Sequence, residues 1–141
     1  MSRELAERFL NTFNQLHEDN LEPLHEIYAD DIHFIDPIRE VRGVEELKKV
    51  LKHQYSAVKV CVFENVEICA DDNRAFVAWI MRVELENFRR GETLRVDGSS
   101  RLHFNDAGKI TFHQDYYDMG QFIYERVLGL GMVIRKIKQR M

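Results

Sequence analysis

The sequence is short of cysteine and proline, with two of each in 141 residues. Cys61 and Cys69 form no Cys-x-x-Cys pair and no metal-type spacing, which excludes a disulfide framework or a zinc ribbon. Both stand in apolar runs and read as small apolar residues or ordinary thiols. So few prolines leave little room for a linker. No uninterrupted apolar stretch approaches the ~20 residues of a membrane-spanning helix. The opening Met1-Ser2-Arg3-Glu4-Leu5 is charged where a signal peptide is apolar, so a cytoplasmic location is expected. A basic excess is missing as well. The net charge is −4, which speaks against nucleic acid as a partner. No phosphate-cradling loop, nucleophile motif or metal-spaced His/Asp/Glu set occurs, and neither a cofactor nor a metal is expected.

What is present is a bulky apolar complement. Hydrophobic residues make up 45% and charged residues 31%, with nine Phe, five Tyr and one Trp. This composition suits one globular domain with one core. Helical spacing of Leu5, Phe9, Leu10, Phe13 and Leu16 predicts a helix over 2–18. A second short helix is expected over 21–29, with Leu24, Ile27 and Tyr28 on one face, ended by Asp30-Asp31. Ile32 to Ile35 reads as a strand stopped by Pro37, followed by a loop to Gly43 and a helix over 44–55. The period then changes from helical to two. Strands are expected at 60–69, 75–86, 93–104 and 109–117, with turns at 71–73, 89–92 and 105–108. Helices first and hairpin-linked strands after them indicate an α+β domain, a curved antiparallel sheet wrapped around N-terminal helices. Helical spacing returns over 121–141 through Phe122, Ile123, Val127, Leu130, Ile134 and Ile137, with a break expected at Gly129 and Gly131.

Strand alternation sorts side chains into faces. Trp79, Met81, Val83 and Leu85 share an inward face, opposite Arg82, Glu84 and Glu86. Leu94, Val96, Gly98, Ser100, Leu102 and Phe104 share another, which carries Ser100 inside. The last strand is undecided by period alone. Ile110, Phe112, Gln114 and Tyr116 oppose Thr111, His113, Asp115 and Tyr117, and either set can be inside.

Two acidic stretches stand out. One is Phe34-Ile35-Asp36-Pro37, with Gly43 beyond it. The other is His113-Gln114-Asp115-Tyr116-Tyr117-Asp118. If both face one cavity, carboxylates, an imidazole and a phenol converge in an apolar pocket, which is equipment for proton transfer. Each has an ordinary alternative. Asp36 before Pro37 suits a turn, and His113 with Asp115 suits a buried structural pair. Asp118 reads as a cap for the following helix.

Residues 5–118 resemble the cone-shaped NTF2-like superfamily, which includes nuclear transport factor 2, SnoaL-type polyketide cyclases and ketosteroid isomerases. The resemblance lies in Leu21 to Gly43, with Ala29-Asp30-Asp31 and Asp36-Pro37, and in Phe104-Asn105-Asp106-Ala107-Gly108-Lys109-Ile110. The Phe-x-Asp-Pro, Trp79, Gly98-x-Ser100 and His-x-Asp-Tyr-Tyr-Asp set is similar to a bacterial SnoaL-like group without an assigned reaction. The resemblance implies a working aspartate at Asp36 and another near Asp115, and a cavity lined by His113, Asp115 and Tyr117. It places the oxyanion-hole donors of the isomerases at Thr12 and Ser100, neither of the usual type, so it does not imply ketosteroid isomerase activity.

The expectation is therefore a SnoaL-like domain over 1–118 with a helical extension of the same domain over 119–141. Its cavity would bind a small, largely apolar organic molecule. Asp36, Asp115 and His113 would act in isomerisation, cyclisation or hydration. Tyr117, Ser100, Trp79, Met81, Phe34 and Leu102 would contact the ligand. The alternative is a non-catalytic ligand-binding or dimeric protein-interaction module. Residues 125–141 carry five basic side chains against Glu125. This segment is expected to pack as part of a homodimer, with closure of the cone mouth or contact with an anionic membrane surface as the other readings.

Overall fold

A computed structural model describes residues 1–86, 91–118 and 130–141. Three helices precede the main strands: α1 (Ser2–Phe13), α2 (Leu24–Ile27) and α3 (Val44–Ser56). The strands are β1 (Tyr28–Ile35), β2 (Glu40–Arg42), β3 (Val58–Ala70), β4 (Arg74–Leu85), β5 (Leu94–Phe104) and β6 (Ile110–Tyr117). A last helix, α4, spans Leu130–Arg140. The strands form one sheet in the order β2-β1-β6-β5-β4-β3. The α+β architecture matches the sequence-based expectation. One pairing is not antiparallel, because β1 runs parallel to β6. Those two strands are far apart in the chain, so no hairpin dictates their direction.

The three N-terminal helices lie on the concave face of the sheet, α1 against β3 and β4, and α2 and α3 against β1. Between them lies a core that includes Leu24, Ile32, Leu47, Val77, Val96 and Leu102, all shielded from water. Alternation on β4 and β5 runs as the pattern requires: Ala75, Val77, Trp79 and Val83, and Leu94, Val96, Ser100, Leu102 and Phe104, are buried. The hairpin at 105–108 is built by Asn105, whose Oδ1 accepts from the amides of Ala107 and Lys109. Gly108 completes it at φ +77°, a backbone region that favours glycine.

Several boundaries differ from the periodicity. The first helix ends at Phe13 rather than residue 18. Asn14 leaves the helix to exchange two hydrogen bonds with the backbone of Phe63, at 3.0 and 2.8 Å, which ties the end of α1 to β3. The second helix is a single turn, and the strand after it begins at Tyr28. Asp30 and Asp31 fall within β1 at a register shift against β6 instead of ending a helix. The loop before Gly43 contains β2. Cys69 is exposed and Cys61 half-buried. Arg89 and Arg90 of the expected turn lie outside the described residues, as do Phe122, Ile123, Val127 and Gly129; at Gly131 the expected break does not occur, because α4 runs through it.

Candidate functional site

Alternation left the facing of β6 open, and a bulge decides it. His103 pairs with Phe112, while the next residue, Phe104, pairs with Ile110, so β6 carries Thr111 as an extra residue. Such an insertion reverses the alternation beyond it. Ile110 and His113 are therefore both buried despite their odd spacing, each 1% exposed. In register, Leu102 faces His113, Ser100 faces Asp115 and Gly98 faces Tyr117. The His113, Asp115, Tyr117 side is the concave side.

A continuous hydrogen-bond chain runs across four strands, β4, β5, β6 and β1. The Trp79 indole Nε1–H donates to Ser100 Oγ at 2.9 Å. Ser100 Oγ–H donates to Asp115 Oδ1 at 2.5 Å, and His113 Nε2 lies 2.6 Å from the same oxygen. On the far side of the imidazole, Tyr28 Oη lies 2.6 Å from Nδ1. The imidazole is packed in rings: Tyr28 stacks on it at 5.9 Å, and Phe9 and Phe34 meet it edge-on at 5.1 and 4.8 Å. Burial holds the Tyr28 hydroxyl well above its ordinary pKa, with the Asp115 charge adding to the effect. Tyr28 is therefore a neutral phenol throughout the ordinary pH range.

The chain borders a cavity. Phe9, Leu10 and Phe13 of α1 close one side. Phe63 of β3 and Trp79 of β4 meet Ser100, His113 and Asp115 on the other. Its volume is about 20 Å³, room for about one water. Trp79 reaches this position because β5 has Gly98 opposite it. A β-carbon there would overlap the indole carbons, so the Gly98-x-Ser100 motif seats the ring and then supplies its hydrogen-bond acceptor.

Of the residues singled out from sequence, Trp79, Ser100, His113 and Asp115 line this cavity. Phe34 touches it only through the His113 ring, Leu102 is packed wholly into the core, and Met81 is half-buried beside the core. Tyr117 sits at the edge, its ring 6.4 Å from Trp79. Burial and the carboxylates of Asp36 and Asp115 raise the pKa of its phenol, against the opposing pull of Arg39. Asp36 is not on the cavity wall. Its Oδ1 accepts from the amides of Ile38 and Arg39, at 2.8 and 2.9 Å, the turn-forming use of an aspartate before proline. Asp115 lines this cavity and Asp36 does not, while the carboxylates of both act on the Tyr117 phenol.

Tyr28 and the α1 aromatics are the residues that sequence reasoning missed as site components. A buried tyrosine hydroxyl requires a partner, which is the signal that Tyr28 offered. Among the described residues, no group of three His, Cys, Asp or Glu side chains is placed to hold a metal. None of the described helices is long and apolar enough to cross a membrane.

Comparison with known proteins agrees with this geometry. A sequence profile of the SnoaL-like domain matches residues 6–113. Among solved structures, an NTF2-like protein of unknown function from Burkholderia pseudomallei is similar at a TM-score of 0.74 and 16% identity, covering 86% of this chain and 93% of that one. A hypothetical protein of ketosteroid isomerase-like fold from Catenulispora acidiphila, solved in complex with trimethylamine, matches at a TM-score of 0.72 and 12% identity, covering 84% and 88%. TerC, co-crystallised with polyporic acid, matches at 0.70 and 19% identity, covering 84% and 94%. At these identities the likeness is one of fold. No curated protein matches the chain.

Proposed function

The chain belongs to the SnoaL-like domain family, and from that premise we propose that its cavity receives a small, largely apolar organic molecule on which Asp115 acts as the acid–base group. One observation carries this reading. Oδ1 of Asp115 is occupied by Ser100 and His113, whereas Oδ2 has no hydrogen-bond partner among the described residues. A carboxylate held by one oxygen and open at the other, on the wall of an aromatic cavity, is built to accept or return a proton. Isomerisation, cyclisation and hydration each use such a step.

The roles follow from contact. Asp115 meets the ligand. His113 and Ser100 orient its carboxylate, and Trp79 fixes the Ser100 hydroxyl while forming part of the apolar wall. Tyr117 is an edge contact. Asp36 supports the turn at that edge and lies within electrostatic reach of Tyr117, so the chemistry rests on Asp115 without it. A molecule of several carbons needs more room than about 20 Å³, since ordinary ligand sites hold hundreds of cubic ångströms. Admission therefore requires the Phe9 and Phe13 rings of α1 to swing away.

The small volume also favours a second reading, a non-catalytic ligand-binding or dimeric interaction module. Val60, Val62 and Phe76, each about half exposed on the sheet, would serve such a dimer. Homodimerisation, a cytoplasmic location, the absence of a nucleic-acid partner and the assignment of 119–141 to the same domain all belong to this proposal. Mass spectrometry of ligand co-purified from native cells separates the readings. Wild type and Asp115→Asn should retain molecules that differ, because the variant cannot complete the proton transfer. The same molecule in both would leave binding without chemistry, and none in either would remove the cavity from consideration.

A further inference from the structure

The hydrogen-bond chain fixes where charge resides. Tyr28 Oη is buried and its hydrogen-bond partner among the described residues is His113 Nδ1, with Asp115 and Tyr55 within electrostatic reach. Were Nδ1 protonated, it would donate to Tyr28, and the phenolic hydrogen would be left buried without an acceptor, which is costly. Tyr28 therefore donates to Nδ1, and the ring hydrogen at Nε2 points at Asp115. That proton goes to Asp115 Oδ1, and the Ser100 proton goes to the same atom. Each donor in the chain is used, and Oδ2 of Asp115 is left without a hydrogen-bond partner among the described residues.

No lysine or arginine is among the described residues on the cavity wall. Arg39 acts on Tyr117 at the edge. The rest of the cavity wall is largely aromatic: Phe9, Phe13, Phe63 and Trp79. Phe63 stands perpendicular to Trp79 at 5.4 Å and to Phe13 at 6.0 Å, so ring faces and edges surround the space. Ring faces carry negative potential and attract cations. A lone carboxylate within such a cage suits a ligand that is positively charged, able to donate a hydrogen bond, and apolar elsewhere.

We propose that the ligand class of this cavity is a small protonated amine, with an N–H⁺ on Asp115 Oδ2 and its alkyl carbons against the rings of Phe63, Trp79 and Phe13. The proposal rests on the reading above, that the cavity receives a small organic molecule. It is compatible with acid–base chemistry at Asp115. When the ammonium gives up its proton, the N–H bond breaks, an O–H bond forms at Oδ2 and the electron pair remains on nitrogen, leaving a neutral amine free to react.

Methylammonium and methanol are two-heavy-atom probes that differ in charge. Each is titrated into the protein at constant ionic strength while the Trp79 indole N–H signal is followed by NMR. Methylammonium should shift it saturably, with a Kd at least about tenfold below that of methanol. Asp115→Asn should remove this preference. Phe63→Leu, which keeps the hydrogen-bond chain, should weaken methylammonium more than methanol and decides the matter if the aspartate variant does not fold. Equal or tighter binding of methanol, or a preference that survives in Asp115→Asn, overturns the amine class while the cavity reading stands. If neither probe moves the signal, the space holds water alone and both readings fall.

Discussion

Gly98 on β5 and Trp79 on β4 face each other across the ladder, and the indole lies so close that a β-carbon on Gly98 would overlap it. The glycine is needed for space. Its absent side chain lets the ring lie across β5 and bring Nε1 to Ser100 two residues on. Gly98→Ala should cost about 1–3 kcal/mol, as overpacking of a filled core does. Urea unfolding measures the loss. Displacement of the sole tryptophan should be visible as a fluorescence shift, and an unchanged spectrum would contradict the seating role.

Tyr28→Phe removes the donor to His113 Nδ1 and leaves a buried acceptor unpaired. A loss of about 1–3 kcal/mol is expected, read as a lower urea midpoint at an unchanged slope. A neutral outcome would show that the phenol does not serve the imidazole.

Asp36 tests turn against catalysis. Asp36→Asn keeps the Oδ1 acceptor for the Ile38 and Arg39 amides, so stability should change by less than about 0.5 kcal/mol. Asp36→Ala loses both bonds and should cost about 1–2 kcal/mol. If the asparagine variant also leaves ligand processing intact, the turn accounts for this residue.

The two thiols should react very differently. Burial pushes the Cys61 thiol up to about 12, so near pH 8 only about one molecule in ten thousand carries the thiolate. Cys69 is exposed. A thiol reagent should label Cys69 quickly and Cys61 only on unfolding, as peptide mass spectrometry can show. Two fast sites would contradict the packing around Cys61.

His103 should weaken the fold in acid. Its burial, and then the charges of Arg74 and Arg101, hold its pKa below the ordinary 6.5. The unfolded chain therefore takes up the proton first. The contribution of this group is whole above about pH 6.5 and is lost as the pH falls through that value towards the folded one. His103→Gln should show a shallower decline of the urea midpoint below pH 6.5 than wild type. Identical slopes would remove His103 as a cause.

Much of this architecture was written in local pattern. The inward faces of β4 and β5 and the Asn105–Gly108 hairpin follow from alternation and turn chemistry, which neighbours along the chain supply. The site was less accessible. Trp79, Ser100, His113 and Asp115 stand out in the sequence, but Tyr28 follows Leu24 and Ile27 at helical spacing and so reads as one face of a helix. Asn14 likewise has the sequence setting of a helix interior, and its bonds to the Phe63 backbone come from a strand 49 residues away.

The sequence by itself determined the α+β class, the family resemblance and the residue types available for chemistry, because composition and period are properties of the chain alone. Tertiary structure decided which of those residues meet. The extra residue at Thr111 turned His113 and Asp115 inward. Cross-strand register set Ser100 beside Asp115 and Gly98 beneath Trp79, and the turn after Pro37 engages one oxygen of Asp36. Each of these depends on a partner distant in sequence or on a bulge that shifts register by one residue, and a one-residue shift exchanges the two faces of a strand.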